Sequence, residues 1–541
     1  MAADPSQPEG PPLHTELVVV LLFAVASIVA LIAKRFRLPY TVALVVAGLA
    51  LGTVDVVDPP HLTQTLLYSV FLPGLLFEAA FHLEFKTFWA NKLTIHALAV
   101  PGVVASILLT AAVFTPVASA LELESGFRFV DGLVFAAILA ATDPIAVVSV
   151  FKSLGVPKRL AVLIEGESLL NDGTAVVLVG IILALALGGS LSVPAATLQF
   201  AFMVGVGGLI GGGIGYAVSL VIQRVDDPMI EITLTTIAAW GSFMIAEQTH
   251  ASGVIATVAA GMVCGNYGKR TGMSPSTIVA TETFWEYVAF ALNSLVFLLI
   301  GFEVQIDDIL ANWAPILVAW GAVTGARAVV VFGVAGLLRK SSERIPWSWS
   351  AVLSWGGLRG SLSMVLVLSL APDFPHRAFL VTVTFGVVLV SILLQGLSIG
   401  PLLKRLRVVG AREDRLELER ARARLAAATA ARQEIDHLTA SHGVPVSVVA
   451  ELRAEYDRRH ADADAQARLA HVEREAVMDE ERHRARRHLL MLERSRVRDL
   501  LHEGLLSEEA AAPVLADIDA RVRALEDPPA PPPTAVEAPS A

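Results

Sequence analysis

The chain has 541 residues, of which 55% are hydrophobic and 17% are charged. This composition is too apolar for an ordinary soluble domain, and the length exceeds what a single membrane anchor requires. The formal net charge of -10 says little about partners, because most ionisable residues lie in loops and in the C-terminal quarter, and no nucleic-acid-binding pattern is present. The single cysteine, Cys264, excludes an internal disulfide and a thiolate metal site. We therefore expect an all-α polytopic membrane protein.

Runs of about 20 apolar residues predict about thirteen transmembrane spans. The eighth and ninth are separated only by the segment EQTHASG, and the second contains Asp55. In chain order the predicted spans are 16–33, 40–57, 63–81, 93–120, 130–151, 160–187, 195–222, 229–247, 251–267, 283–303, 311–338, 348–371 and 378–402.

Basic residues fall in alternate connecting segments, as expected when short cytoplasmic loops carry an excess of Lys and Arg. They follow every odd-numbered span, and the intervening loops are acidic, neutral or carry a lone Arg or His. The basic residues are Lys34, Arg35, Arg37, Lys86, Lys92, Lys152, Lys158, Arg159, Arg224, Lys269, Arg270, Arg339, Lys340, Arg344, Lys404, Arg405 and Arg407. This pattern predicts a short external N-terminus, residues 1–15, and a cytoplasmic C-terminus.

The odd number of spans allows two inverted six-helix repeats, spans one to six and eight to thirteen, with span seven between them. The fifth span of each half is interrupted, at Thr142-Asp143-Pro144 and at the glycine-rich stretch from Gly356 to Gly360. Proline removes a backbone donor and disfavours helix in the preceding residue, and clustered glycines lower helix propensity. Paired interruptions at corresponding positions are typical of a transport site, so we expect two interrupted helices that cross here.

Ionisable residues in mid-span indicate where the function lies. A charge near the bilayer centre costs roughly 2.5–3.5 kcal/mol and is retained where it faces a wet cavity or an ion pathway. In span six, Ser168 and Asp172 share one helix face, and Glu167 and Asn171 share an adjoining one. A hydroxyl, a carboxylate and a freed carbonyl at Thr142 suit a weakly held monovalent cation, and the same carboxylate can hold a proton instead. The pattern predicts exchange by competition.

Four further charged residues within predicted spans are candidates for the site or its support. Asp143 suits the positive N-terminal ends of the broken helices, and Arg359 suits the negative C-terminal ends. Glu78, among apolar residues of span three, is a further candidate oxygen ligand. Arg327 in span eleven needs an anionic partner, for which we expect Glu167.

The motifs ATDP and GESLLNDG, the FE pair of span three, GARA and GGLRGS occur in this order along the chain. Together they resemble the sodium/proton exchanger branch of the monovalent cation:proton antiporters, specifically its bacterial and archaeal NhaP-like members, over about residues 16–405. The resemblance implies a homodimeric, thirteen-helix antiporter of the cell membrane, surrounded by lipids. It also implies that a six-helix core moves like an elevator against a dimerisation domain, with no cofactor and no nucleotide.

The resemblance also implies roles for individual residues. Asp172 would be the carboxylate that binds cation or proton, and its neighbour Asn171 corresponds to the electroneutral branch. The implied co-ligands of the monovalent cation are Ser168, Glu78 and the Thr142 carbonyl. The implied structural ion pair is Glu167 with Arg327. The implied charges at the helix crossing are Asp143 and Arg359.

After the last span the composition changes to Ala, Arg, Glu and Leu, which predicts a cytosolic, charged helical tail over residues 406–527. Helical spacing of apolar residues runs from Glu413 to Leu438, and a break follows at 441–443. Two further helices are predicted, from about Ser447 to His502 and from Ser507 to Leu525. The Pro-rich segment 528–541 is expected to be disordered.

The function predicted from these residues is secondary antiport of Na⁺, with Li⁺ or K⁺ as alternatives, against H⁺. No GxxxxGK[ST] phosphate-binding loop is present, which agrees with a gradient-driven process rather than an ATP-driven one. Two alternatives remain. An intramembrane aspartyl protease would use Asp143 and Asp172, although the GxGD pattern of such enzymes is missing. A cation channel, or a sensor that signals through the tail, would need no coupled proton movement.

Overall fold

The computed structural model describes residues 13–36, 39–53, 67–189, 192–303 and 305–408, together with parts of 423–526. Within these residues every named element is helical, and the single β pairing is an isolated bridge between two loops. Most of the predicted external segment 1–15, the position of Asp55 and the Pro-rich segment 528–541 lie outside the described residues.

The first half of the described chain contains eight helices. They are α1 (Leu13–Phe36), α2 (Tyr40–Thr53), α3 (Leu72–His82, after a π turn at Leu67–Phe71), α4 (Phe85–Ala90), α5 (Lys92–Ala120), α6 (Phe129–Ile138), α7 (Ile145–Leu154) and α8 (Lys158–Ala186).

The second half continues with nine helices. They are α9 (Val193–Ile222), α10 (Pro228–Gln248), α11 (Gly253–Val263, extended by a π turn at Cys264–Gly268), α12 (Pro275–Glu303), α13 (Ile306–Ala311), α14 (Trp313–Leu337), α15 (Trp347–Trp355), α16 (Ser361–Leu368) and α17 (Arg377–Arg405, with a π turn at Ser391–Gln395).

Each predicted span contains at least one described helix, so the polytopic all-α fold is confirmed. By length and composition, seven of the described helices are long and apolar enough to cross a membrane. The interrupted spans are present as the pairs α6/α7 and α15/α16, which have 8 to 10 residues per helix. Because a helix that crosses the membrane needs about 20 residues, the two short helices of each pair must span it together.

The helices of residues 13–408 pack as two groups with different partners. In one group, α2 packs along α12, while α3, α9 and α10 pack on α11. In the other group, α5 packs against α6 and α14, α8 against α6, and α14 against α15 and α17. The broken pairs α6/α7 and α15/α16 belong to the second group, which contacts the first group where α8 meets α3 and where α16 meets α12.

Small residues allow the backbones within the first group to approach closely. Gly48 of α2 faces Gly301 of α12, and a Cβ at Gly48 would lie 3.0 Å from the Gly301 Cα and collide with the Leu298 carbonyl. In helices within a bilayer, such small-residue contacts replace the hydrophobic driving force that operates in water. The α2–α12 interface therefore depends on the absence of a side chain at this position.

The described parts of residues 410–541 form a compact unit of their own. Its described helices are α18 (Val446–Leu469) and α19 (Glu508–Glu526). Arg494 forms an ion pair with Asp519 of α19 at 3.2 Å. Glu493 forms an ion pair with Arg521 of α19 at 3.1 Å. The predicted helix from Ser447 to His502 is present up to residue 469, and residues 470–485 lie outside the described residues.

We predict that Gly48→Ala destabilises the chain, because the added methyl group forces α2 away from α12 at a cost of about 1–3 kcal/mol for an overpacked contact. Thermal unfolding of the detergent-solubilised protein, followed by size-exclusion chromatography, measures this. The matched control is Gly213→Ala in α9, where a Cβ meets nothing within 4 Å. Equal melting temperatures for the two variants would contradict the predicted contact.

Candidate functional site

The two broken helix pairs meet through their backbones. The Asp143 N–H donates to the Leu358 carbonyl oxygen at 2.8 Å, which forms the isolated antiparallel bridge. A Cβ at Gly360 would collide with the Asp143 side chain, and one at Gly357 with the Arg327 guanidinium. The glycines of GGLRG are therefore needed for close approach as well as for breaking the helix.

Asp143 and Arg359 each lie beside a helix end of complementary charge. The Asp143 carboxylate accepts a hydrogen bond from the Ile145 N–H at 2.9 Å, at the N-terminus of α7. Arg359, which is 4% exposed, donates through Nη1 to the carbonyl oxygens of Ala140 and Ala141, at 2.7 and 3.1 Å, just beyond the end of α6. Both side chains lie where the partial charges of the helix ends need compensation.

A polar pair in α17 supports this crossing and was not identified from the sequence. The Arg359 N–H donates to Ser391 Oγ at 3.0 Å, and Ser391 donates to Gln395 Oε1 at 2.5 Å. Both residues lie in the π turn of α17, a distortion that often occurs at functional positions. A polar pair four residues apart within an apolar span was the only available sequence signal.

On α8, Ser168 and Asn171 bind the loop between α6 and α7. Asn171 Nδ2 donates to the Ala140 carbonyl and to Thr142 Oγ1, both at 3.0 Å. Ser168 Oγ donates to the Thr142 carbonyl in a short hydrogen bond, and Thr142 Oγ1 donates to Ser168 Oγ at 3.3 Å. The loop carbonyls predicted to be free are thus held by side chains that can exchange partners with an ion.

Asp172, one turn beyond Ser168, lines a cavity of about 90 Å³. Its Oδ1 atom is buried and has no hydrogen-bond partner among the described residues, and no ion pair in that part of the chain includes Asp172. Since one water molecule needs roughly 10–15 Å³ of such volume, the cavity has room for a cation with several waters. Asp172 is therefore a carboxylate whose buried Oδ1 lies on the wall of this cavity.

The cavity brings together most of the predicted ligands. Ser168, Thr142 and Glu78 line it with Asp172, and Glu78 comes from α3 in the other helix group. Glu78 Oε1 lies 3.2 Å from His82 Nδ1. Asn171 contributes indirectly, because its amide is engaged with the loop.

The polar lining residues that the sequence did not indicate include Asn293 and Ser361. Asn293 of α12 is 8% exposed, and its Oδ1 has no hydrogen-bond partner in the described part of the chain. A neutral amide within an apolar run gives no charge signal, so nothing in the pattern distinguished it from other polar residues in spans.

Glu167 and Arg327 form a bidentate ion pair away from the cavity. Arg327 Nη1 and Nη2 donate to Glu167 Oε1 and Oε2 at 3.0 and 2.9 Å. Arg327 also donates through Nε and Nη2 to the Leu353 carbonyl, at 3.2 and 3.1 Å. The pair connects α8, α14 and α15, and both charges are compensated without an ion.

We predict that Arg327→Ala costs about 3–5 kcal/mol of folding stability, because removal of one partner leaves the buried Glu167 carboxylate uncompensated. The double variant Glu167→Leu with Arg327→Met removes both charges and should recover much of the loss. Thermal melts of the three purified proteins give the comparison. A double variant less stable than Arg327→Ala would show that the pair is not coupled as described.

Comparison with known proteins gives concordant results. A profile of the family described as "Sodium/hydrogen exchanger, transmembrane" matches residues 20–405. The Na⁺/H⁺ antiporter ApNhaP of Aphanothece halophytica is 38% identical over 408 residues, which is 74% of this chain and 76% of that protein. The Na⁺/H⁺ antiporter NhaG of Bacillus atrophaeus is 35% identical over 504 residues, covering 90% of this chain and 93% of its own length.

The fold also has a solved counterpart. The structure of the sodium proton antiporter MjNhaP1 from Methanocaldococcus jannaschii at pH 8 superimposes with a TM-score of 0.61 at 19% identity, covering 73% of this chain and 99% of that one. The proteins matched by sequence are named as transporters and not as enzymes. From the family match, the identities and the helical fold, the chain belongs to the transmembrane sodium/hydrogen exchanger family.

Proposed function

We propose that this chain exchanges Na⁺ for H⁺ across the cell membrane, with both ions competing for Asp172. The observation that carries the proposal is the position of the Asp172 carboxylate. Its Oδ1 is buried and unpartnered among the described residues, on the wall of a cavity that it shares with Ser168, Thr142 and Glu78. Hard oxygen donors of this kind suit Na⁺, with Li⁺ or K⁺ as alternative substrates.

The charges around the cavity support competition at a single group. Glu167 is neutralised by Arg327, and Asp143 and Arg359 face helix ends. Because the Oδ1 atom of Asp172 is buried without a hydrogen-bond partner among the described residues, ionisation of this carboxylate is costly, and in this proposal Asp172 carries a proton until a cation replaces it. The cation would recruit the Thr142 carbonyl and the Ser168 hydroxyl, which now bond to each other.

The neutral residue at position 171 supports electroneutral exchange. Asn171 gives its amide to the Ala140 carbonyl and to Thr142, so the adjacent position adds no second acidic group to the site. One carboxylate that carries either one proton or one monovalent cation moves no net charge in a cycle.

Alternating access would follow from the position of the cavity. Its wall combines Glu78 and Asn293 from the α3 and α12 side with Asp172 and Thr142 from the broken-helix side. Movement of the broken-helix group past the other group would carry Asp172 between the two membrane faces, as an elevator mechanism requires. The first group, which contains α2, α3 and α9–α12, would then form the homodimer contact, with the tail on the cytoplasmic side and the N-terminus outside.

The alternative activities have less support. An intramembrane aspartyl protease would use Asp143 and Asp172, which both line the cavity, but the Asp143 carboxylate is engaged by the Ile145 N–H at the start of α7. A channel or sensor leaves proton coupling unexplained, while the relatives at 35–38% identity are named Na⁺/H⁺ antiporters.

We predict that Asp172→Asn abolishes Na⁺-driven proton movement in sealed proteoliposomes. The amide has neither an ionisable proton to release nor a negative charge to attract a cation. A pH-sensitive dye reports the movement after Na⁺, Li⁺ or K⁺ is added, and Asp308→Asn, in the exposed α13, is the matched control with wild-type rates. In the wild type, an imposed membrane potential should leave the rate unchanged.

Normal exchange by a correctly folded Asp172→Asn variant would overturn the assignment. A rate that follows the imposed potential would reject electroneutrality and leave the antiport itself standing.

A further inference from the structure

We propose that Asn293 is a neutral oxygen ligand of the transported cation, supplied by α12 from the wall that faces α8. The inference rests on the proposed function and extends it, because it assigns to the first helix group a contact that sets cation affinity without taking part in proton binding.

The burial of Asn293 requires an explanation. The side chain is 8% exposed, yet its Oδ1 has no partner among the described residues. Leaving a buried amide oxygen without a hydrogen bond costs about 1–3 kcal/mol. Such groups usually mark a place for water or an ion, and Asn293 lines the cavity that contains Asp172.

The neighbouring residues fix the position of Asn293. Ser294 Oγ lies 2.6 Å from the Tyr40 hydroxyl of α2, and the Tyr40 ring stacks on Phe290 with centroids 5.3 Å apart. These contacts hold α12 in register against α2 on either side of Asn293. The amide is therefore preorganised toward the cavity, as expected of a ligand rather than of a mobile surface group.

In the predicted repeats, Asn293 lies in the span that corresponds to the span of Glu78, the candidate ligand from α3. Glu78 lies in the third span of the first half, and Asn293 lies in the tenth span, the third of the second half. Each half thus contributes one oxygen-bearing side chain from its third span to the same cavity. Two side chains from the first helix group would meet an ion that is held mainly by the second group.

This arrangement separates cation affinity from proton coupling. Asn293 carries no charge and no exchangeable proton at working pH. Loss of its oxygen should weaken cation binding and leave the ratio of protons to cations unchanged. Because α12 lies outside the broken-helix group, the contact would form in only part of the transport cycle.

The test is the Na⁺ dependence of exchange by the full-length chain in proteoliposomes. Asn293→Leu, which has a similar size but no oxygen, should raise the half-saturating Na⁺ concentration roughly tenfold, the effect of losing one hydrogen bond to a charged group. The maximal rate at saturating Na⁺ and the proton-to-cation ratio should stay at wild-type values. Asn293→Asp, which retains an oxygen, should bind Na⁺ at least as tightly as the wild type.

Thr281→Val is the matched control, because Thr281 lies on the same helix, is fully buried and has a hydroxyl without a partner in the described part of the chain, outside the cavity wall. It should leave the Na⁺ dependence unchanged. If Asn293→Leu does not fold, Asn293→Ala should show the same rise, and stabilisation of the detergent-solubilised protein by Na⁺ gives a second binding measurement.

Two results separate the possible failures. An unchanged Na⁺ dependence in Asn293→Leu, with exchange still lost in Asp172→Asn, would overturn the role of Asn293 and leave the antiporter assignment intact. Persistent exchange in Asp172→Asn would overturn the proposed function itself. An Asn293→Asp variant as weak as Asn293→Leu would reject an oxygen ligand at this position.

Discussion

The requirement that each buried charge has a compensating charge organises this structure. Arg327 satisfies Glu167 with two hydrogen bonds, and Arg359 satisfies the carbonyl groups at the end of α6. With these groups paired, Asp172 keeps a buried Oδ1 without a hydrogen-bond partner among the described residues, on the wall of the cavity. Under the proposed function, the charge that compensates Asp172 comes from solution, as a proton or a metal cation.

The broken helices make this possible because they bring backbone atoms to the site. An intact helix would use the carbonyls of Ala140 and Thr142 within its own hydrogen-bond ladder. Here they accept from side chains instead, and the bridge between Asp143 and Leu358 fixes the two breaks together. Hydrogen bonds from Asn171 and Ser168 can rearrange at small cost, so the loop can change partners without unfolding.

Partners for several charged residues could be assigned from the sequence, for a physical reason. A charge within a span must find a partner, so Glu167 could be assigned to Arg327, and Asp143 and Arg359 to helix ends. Neutral polar residues carry no such requirement. Asn293, Ser391 and Gln395 therefore emerged only with the packing, which alone decides whether an amide or hydroxyl faces a cavity, a backbone group or its own helix. The glycines of the second break were read as helix breakers, whereas their close approach to Asp143 and Arg327 could not be deduced from one sequence.

Proton release on cation binding measures the proposed competition between Na⁺ and H⁺ at Asp172. Purified protein in weakly buffered detergent is brought to a pH at which Asp172 is protonated, and NaCl is added with choline chloride as the ionic-strength control. We predict that Na⁺ displaces close to one proton per chain from the wild type and displaces none from Asp172→Asn. Equal proton release from both proteins, or Na⁺ binding by the wild type without release, would contradict it.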